Sequence, residues 1–484
     1  MNLKVLAKLL GVISLVVGGT QLFPLGFAFF DGEWALEMAY SMGISLGVGG
    51  VLFMLGEGGK AESVFRREGL AIVGLGWLLI GFLGSFPFYL TETTPKFVDA
   101  YFESVSGLTT TGSSILSSEQ IESAPRCVLF WRSLIQWLGG MGIVVLFVAI
   151  IPHLRASGKQ LLYSEVPGPT SENLRPKIQD TAAILWKIYV AFTLVLSLLL
   201  LVQGMNWFDA ICHALTTMST GGFSTKGASV GHFNSLGIEI TMIVFMLLAG
   251  TSFSLYYRAV GGDWKSFFRD PEWRFYLFVL GLSTALIATE LAFHRGGDFG
   301  ESARVAGFQV VSIVTTTGFG TEDFDQWPSF SRSLMVVLMF VGGCAGSTAG
   351  GVKIIRILVI IKNALIATER SFRPQTVRTL KVGSTVVEQD TRETILAFFT
   401  VIMGTMVLGT LALAALGMDI VSALTAAAAT LNNIGPGLGI VGASESFAAV
   451  PDSGKLLLSL FMVVGRLEVF AILVLFSPTL WRSH

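Results

Sequence analysis

The chain has 484 residues, 52% of them apolar and only 13% charged, and its mean hydropathy is +0.69; this excludes a soluble globular enzyme of ordinary makeup. A net charge of −1 argues against general affinity for nucleic acid. The three cysteines, Cys127, Cys212 and Cys344, are scattered through apolar or glycine-rich surroundings and give neither a disulfide framework nor a zinc site.

In chain order, the N-terminal "MNLKVLAKLLGVISLVVGG" carries Lys4 and Lys8 as a signal peptide would. Its apolar run continues to about Phe30 with no small-residue cleavage site, so it reads as a retained first span. Stretches of ~20 apolar residues, enough to cross a bilayer, follow near 37–56, 69–90, 127–151, 181–203, 236–257, 273–294, 332–361, 393–416 and 455–477. With the N-terminus inside, the cytoplasmic connections hold Lys60, Arg66, Arg67, Arg155, Lys159, Arg175, Lys177, Arg258, Lys265, Arg269, Lys362, Arg370, Arg373, Arg378, Lys381 and Arg392. The opposite connections hold Asp31, Glu33, Glu119, Glu122, Glu322, Asp323 and Asp325. The positive-inside rule therefore puts both termini in the cytoplasm.

Four moderately apolar segments, too short to cross, each end in small polar residues and glycine: "VDAYFESVSGLTTTGSS", "FDAICHALTTMSTGGFST", "RVAGFQVVSIVTTTGFGT" and "VSALTAAAATLNNIGPGLG". Aligned without gaps on Gly112, Gly222, Gly318 and Gly435, they share an alanine twelve residues earlier, at Ala100, Ala210, Ala306 and Ala423. Three residues before each glycine stands Thr109, Ser219, Thr315 or Asn432. Each copy sits between two full spans, so the chain reads as four repeats of span, short helix, polar loop and span.

A helix of about ten to thirteen residues reaches only ~15–20 Å, half of a ~30 Å hydrocarbon core. Irregular backbone at that depth must be buried in protein or line water. Four such loops around one axis would form a ring of carbonyl dipoles, with the partially negative C-terminal ends of the short helices aimed at its centre. The threonines Thr109, Thr110, Thr111, Thr315, Thr316 and Thr317 would add oxygen ligands or hold the loops. The implied occupant is a cation held without any carboxylate.

Taken with "GGCAGSTAGG" (residues 342–351) and "GRLEVF" near the C-terminus, the four loops resemble the Trk/Ktr/HKT superfamily of potassium transporters, and the two extra N-terminal spans resemble its bacterial TrkH-type subunit. The resemblance implies an all-α polytopic fold with four pseudo-symmetric repeats of helix, pore helix, filter and helix around one pore. It divides the chain into an N-terminal helix pair (1–68), pore repeats at 69–155, 156–270, 271–392 and 393–484, and a gating loop at 342–353. Filter carbonyls would come from Thr110, Thr111 and Gly112; Thr220, Gly221 and Gly222; Thr316, Thr317 and Gly318; and Asn433, Ile434 and Gly435. It further implies potassium uptake across the bacterial inner membrane, K+ as transported ion, no organic cofactor, a homodimer with separate pores, and a cytosolic ring of nucleotide-binding TrkA-type subunits as gate control. No Thr-Val-Gly-Tyr-Gly run is present and the four loops differ, so fewer well-formed sites and looser selectivity are expected. In the family's plant branch a serine at the position of Gly112 accompanies sodium transport; the glycine here implies that potassium and rubidium pass better than sodium.

Two further features stand out. Gly342, Gly343, Gly346, Gly350 and Gly351 must break the eighth span, since each costs ~1 kcal/mol against alanine in a helix. One reading is a close helix-packing seam. The other, which the resemblance supports, is an intramembrane loop under the filter that blocks the pore, with Lys353 keeping a charge near the ion path. Arg466, midway along the last span, must face protein or a wet cavity. It is either neutralised structurally by Glu468 or neighbouring carbonyls, or it lines the pore as a positive barrier. The histidines His153, His213, His232, His294 and His484 lie apart from carboxylates at metal-ligand spacing. No Walker loop occurs, so nucleotide control belongs to another polypeptide. The basic connections Arg155 to Asp180 and Arg370 to Arg392 either dock that regulator or merely fix topology. An alternative function is a secondary transporter coupling sodium or protons to another solute, although the repeats here all run in one direction. With no catalytic constellation in the spans, an enzyme is not expected.

Overall fold

In a hydrocarbon environment each backbone polar group needs a partner within its own segment or bundle, which makes helices the default for the long apolar runs. The computed structural model describes residues 2–59, 66–142, 178–375 and 378–478. Among these are six helices long and apolar enough to cross a membrane: Leu3–Asp31, Ala35–Leu55, Glu68–Leu90, Ala182–Val202, Pro271–Arg295 and Gln389–Ala415. Two further spans are bent pairs.

The first two helices form a tight hairpin. A methyl group placed on Gly11 would lie 2.5 Å from the Phe53 nitrogen, and one on Gly49 2.8 Å from the Leu15 nitrogen, so the backbones touch as small residues allow. Buried Gln21 binds the pair together, donating to Ser45 Oγ at 3.2 Å and accepting from Ser41 Oγ at 2.9 Å.

Each later spanning helix is followed by a short one, at Phe97–Leu108, Trp207–Met218, Phe299–Val314 and Ile420–Leu431. Three have 12 residues and the third has 16, longer than the sequence suggested. Three start on side-chain caps: Asn206 accepts from the Asp209 amide at 2.8 Å, Asp298 from Gly300 at 3.0 Å, and Asp419 from Val421 and Ser422 at 3.0 Å. The capping Asp298 begins the third helix a turn early. These short helices fill the middle of the protein, and Ala423 and Ala426 to Ala429 are completely buried. The long helices surround them, with only 22% of the apolar window of Gln389–Ala415 buried.

The helices after the second, third and fourth polar loops do not run straight. From sequence, 236–257 and 455–477 read as single spans. Instead, Leu236–Ala249 turns by 90° into Phe253–Val260, and Asp452–Arg466 by 115° into Phe470–Phe476. The expected break in the eighth span separates Ser329–Leu338 from Ile354–Phe372. In the first repeat, Arg126–Gly140 ends at a glycine pair. At two of these breaks another backbone presses on a glycine: a methyl on Gly139 would lie 1.7 Å from the Leu108 carbonyl oxygen, and one on Gly465 2.0 Å from that of Leu431. The end of a short helix thus seats against the break.

Of the two long basic connections, Arg155 to Asp180 lies outside the described residues until the helix Ile178–Val202 begins, and with it Arg155, Lys159, Arg175 and Lys177. The second includes a hairpin pairing Lys381 with Val386 and Val382 with Thr385.

Gly49→Val should loosen the N-terminal hairpin, since overpacking costs ~1–3 kcal/mol. Gly50→Val is its control, because a methyl there meets nothing within 4 Å. The expected outcome in detergent is a lower melting temperature for Gly49→Val alone; equal shifts would contradict the packing described.

Candidate functional site

The four short helices end identically. Past the caps Thr109, Ser219, Thr315 and Asn432, the next residue turns left-handed: Thr110 (φ 55°), Thr220 (54°), Thr316 (57°) and Asn433 (54°). Two residues later Gly112 (79°), Gly222 (74°), Gly318 (83°) and Gly435 (108°) do so again. The turn is closed by backbone bonds. Thr110 donates to Gly107 at 3.0 Å and Thr111 to Ser106 at 2.9 Å; Thr220 to Thr217 at 3.0 Å and Gly221 to Thr216 at 2.9 Å. Thr316 donates to Ile313 at 3.0 Å and Thr317 to Ser312 at 2.8 Å; Asn433 to Thr430 at 3.3 Å and Ile434 to Ala429 at 2.9 Å. This is the paired closure of a Schellman motif, which ordinarily uses glycine at the left-handed position. Threonine there is a genuine outlier and costs ~1–3 kcal/mol, a strain that collects at functional sites.

The closure turns the amides back into the helix ends and frees the carbonyls that follow. Among the described residues the carbonyls of Thr110, Thr111, Gly112, Thr220, Gly222, Thr316, Thr317, Gly318, Asn433 and Ile434 accept no hydrogen bond. Gly221 and Gly435 differ: their oxygens accept from Gln136 Nε2 at 2.6 Å and Ser113 Oγ at 2.8 Å.

The loops meet in cyclic order. A methyl on Gly112 would lie 2.2 Å from the Gly221 oxygen, on Gly222 1.8 Å from that of Thr317, on Gly318 2.2 Å from that of Ile434, and on Gly435 3.1 Å from that of Thr111. Each glycine therefore abuts a carbonyl of the next loop, and the fourth closes on the first. All four glycines line one cavity of about 170 Å³. Most hydroxyls hold loops rather than face it: Thr109 and Thr111 pair at 2.7 Å, as do Thr315 and Thr317, and Asn433 Nδ2 donates to Thr111 Oγ1 at 2.9 Å. Thr110 Oγ1 and Asn433 Oδ1 are buried oxygens with no partner among the described residues.

Sequence reasoning missed the side chains behind the loops. Glu103 and Arg132, both fully buried, pair at 2.8 Å. Glu103 accepts from Ser114 Oγ at 3.0 Å and the Ile115 amide at 3.0 Å, while Arg132 donates to the Ser224 carbonyl at 3.1 Å and lies 4.1 Å above the Phe223 ring. Together they tie the first loop to the second. His213 meets Ser224 Oγ at 3.0 Å, and Gln309 donates to the Glu322 carbonyl at 2.6 Å. Glu103, His213 and Gln309 each stand nine residues before a loop glycine. Polar residues at that register in apolar helices were the available signal.

Beneath the ring lies the glycine segment. Gly342, Gly346, Gly351 and Lys353 have φ of 71°, 72°, 75° and 75°, and the chain folds back so that a methyl on Gly350 would lie 2.7 Å from the Asn432 oxygen. The Gly350 amide donates to Thr316 Oγ1 at 2.7 Å, and Thr348 Oγ1 to the Met218 and Ala249 carbonyls at 3.1 Å. Gly343 packs against Gly250, whose oxygen would lie 2.9 Å from a methyl placed on it. Lys353, buried, donates to the Ala349 carbonyl. Arg466 reaches the same segment, donating to the carbonyls of Thr348, Gly139 and Gly140, each at 2.8 Å. Glu468, the other partner considered for it, instead binds Arg356 at 2.5 Å. The described residues hold no cluster of three or more His, Cys, Asp or Glu that could bind a metal ion.

A family model described as "TrkH: Cation transport protein" matches residues 48–483. The Trk system potassium uptake protein TrkH of Salmonella typhimurium is 39% identical over 489 residues, covering 100% of both chains. The Trk system potassium uptake protein TrkG of Escherichia coli is 32% identical over 492 residues, covering 100% of this chain and 99% of the other. The crystal structure of the potassium transporter TrkH from Vibrio parahaemolyticus superposes with a TM-score of 0.90 at 35% identity, over 100% of both chains. With its bundle of spanning helices, this chain is a multi-pass membrane protein and belongs to the TrkH family of cation transport proteins, which are not enzymes.

Proposed function

We propose that the chain takes up potassium across the bacterial inner membrane through a channel-like pore whose selectivity filter is the ring of loop carbonyls. The observation that carries this reading is the cyclic abutment of Gly112, Gly222, Gly318 and Gly435 on the carbonyls of neighbouring loops. A potassium ion entering such a ring exchanges its hydration shell for carbonyl dipoles, helped by the negative ends of four helices. The carbonyls of Thr110, Thr111, Gly112, Thr220, Gly221, Gly222, Thr316, Thr317, Gly318, Asn433, Ile434 and Gly435 are the proposed ligands; the bonds to Gly221 and Gly435 make those two weaker ones. No organic cofactor is needed for this chemistry. The names of its relatives support potassium as the transported ion.

The segment with Gly342, Gly343, Gly346, Gly350, Gly351 and Lys353 acts as the gate, and Arg466 both steadies it and places positive charge below the filter. Its bonds to Thr348, Gly139 and Gly140 support this role. Both termini face the cytoplasm, two copies associate as a homodimer with separate pores, and a cytosolic TrkA-type ring opens the gate. The four repeats occupy 69–155, 156–270, 271–392 and 393–484, after the helix pair 1–68.

Three outcomes test the reading in proteoliposomes. Gly112→Ser should lower the preference for potassium over sodium, because a Cβ there meets the Gly221 oxygen; unchanged permeability ratios would remove Gly112 from the filter. Deleting residues 346–350 should raise rubidium uptake without a partner protein, whereas a folded deletion that conducts no better than the parent would make the segment a packing seam. Arg466→Gln should raise basal flux and leave the potassium-to-rubidium ratio nearly unchanged, since unit charges a few ångströms apart in a medium of intermediate dielectric repel by roughly several kcal/mol. Lower flux with loss of folded protein would assign Arg466 a structural role alone.

A further inference from the structure

The glycine segment is held unequally at its two ends. Its C-terminal half is held by Arg466 and Thr316 from outside the segment, and by the bonds that its own Thr348 hydroxyl and Lys353 make. The N-terminal half has backbone contacts to the break in the second repeat, with Cys344 donating to the Gly250 carbonyl at 2.9 Å and Phe253 to that of Gly346 at 3.0 Å. One side chain completes it. Glu272 Oε1 accepts the Ala345 amide at 2.6 Å, across 73 residues of chain.

Glu272 sits in the first turn of Pro271–Arg295, where the helix N-terminus favours a negative charge. Asp270 caps that turn through the Trp273 amide at 2.8 Å, fixing where the carboxylate points. Pro271 also lies beside the hairpin, since a methyl on Gly383 would lie 3.2 Å from its Cγ.

We infer that Glu272 is a positioning residue that tethers the glycine segment in its blocking position by holding the Ala345 amide, so that a shift of the start of Pro271–Arg295 releases the segment. The inference rests on the proposal that this segment is the gate. Without the acceptor, the Ala345 amide has no partner in the closed arrangement, and the closed state loses that bond while the filter is untouched. The loss of such a bond favours the released state by about tenfold.

Cys344, buried between Gly343 and Ala345, supplies a reporter. With Cys127 and Cys212 replaced by alanine, Glu272→Ala should raise the rate at which a small cationic methanethiosulfonate modifies Cys344 by roughly tenfold and raise partner-free rubidium uptake at an unchanged potassium-to-rubidium ratio. Glu272→Gln, which keeps one acceptor oxygen, should fall between parent and alanine. Adding Glu272→Ala to the 346–350 deletion should give no further uptake. Unchanged labelling in folded Glu272→Ala would overturn the tether. If the deletion leaves uptake unchanged while labelling still rises in Glu272→Ala, the gate reading fails and the tether stands. If Glu272→Ala does not fold, Glu272→Leu keeps the volume without the acceptor and carries the same expectation; misfolding of both would show that the residue serves folding and overturn the inference.

Discussion

The amides of Thr111, Gly221, Thr317 and Ile434, bonded back to Ser106, Thr216, Ser312 and Ala429, are the constraint on which the rest of the site depends. Inside a membrane protein an unpaired backbone group is expensive. These bonds satisfy the donors at the end of each short helix and leave carbonyls of the following residues free to face the centre. The conformation this requires puts three threonines and an asparagine in left-handed backbone, at ~1–3 kcal/mol each. That cost is met by the burial around them, for the residues of these helix ends are almost wholly enclosed.

The backbone repeats fourfold, but the side chains that join one loop to the next do not. Loops one and two are tied by Arg132 with Glu103, two and three by Ser229 and Gly231 bonding to Gly320, three and four by Asp325 accepting the Gly439 amide, and four and one by Ser113 and Asn433. A buried ion pair contributes little net stability because desolvation offsets its attraction. Its use here is geometric: Glu103 and Arg132 together engage Ser114, Ile115, Ser224 and Phe223, and so set the spacing of two loops. Four unlike joints around like backbones agree with the absence of a strict repeated filter motif.

Below the ring, short-helix ends, helix breaks and glycine segment form one continuous contact. Leu108 presses on Gly139, Leu431 on Gly465, and Gly350 lies under Asn432 while bonding Thr316. Arg466 connects the segment to the break of the first repeat. The glycine segment thus touches the later short helices and breaks directly and the first break through Arg466, and its polar contacts combine backbone carbonyls with the Thr316 hydroxyl and the Glu272 carboxyl group.

From the sequence alone, the membrane class, most of the spans, the four loops and the chemistry of their small residues were legible. Hydropathy reports burial in lipid directly, and the ungapped spacing from Ala100, Ala210, Ala306 and Ala423 to the four glycines is a property of the chain itself. The broken eighth span was legible too, because glycine's helix penalty is local. Three things were decided by the tertiary structure. The bend at Gly250 lies where the Tyr276 hydroxyl and the Thr315 methyl leave no room for a Cβ, and the bend near Val469 where the Leu431 carbonyl presses on Gly465; no local pattern encodes either neighbour. The partners of Arg466 are carbonyls 118 and 327 residues away, whereas Glu468, two residues on, turns to Arg356. Glu103, Arg132, Gln136 and Glu272 gain their roles only from what lies opposite them, because a polar side chain in an apolar helix announces that it needs a partner and not which one.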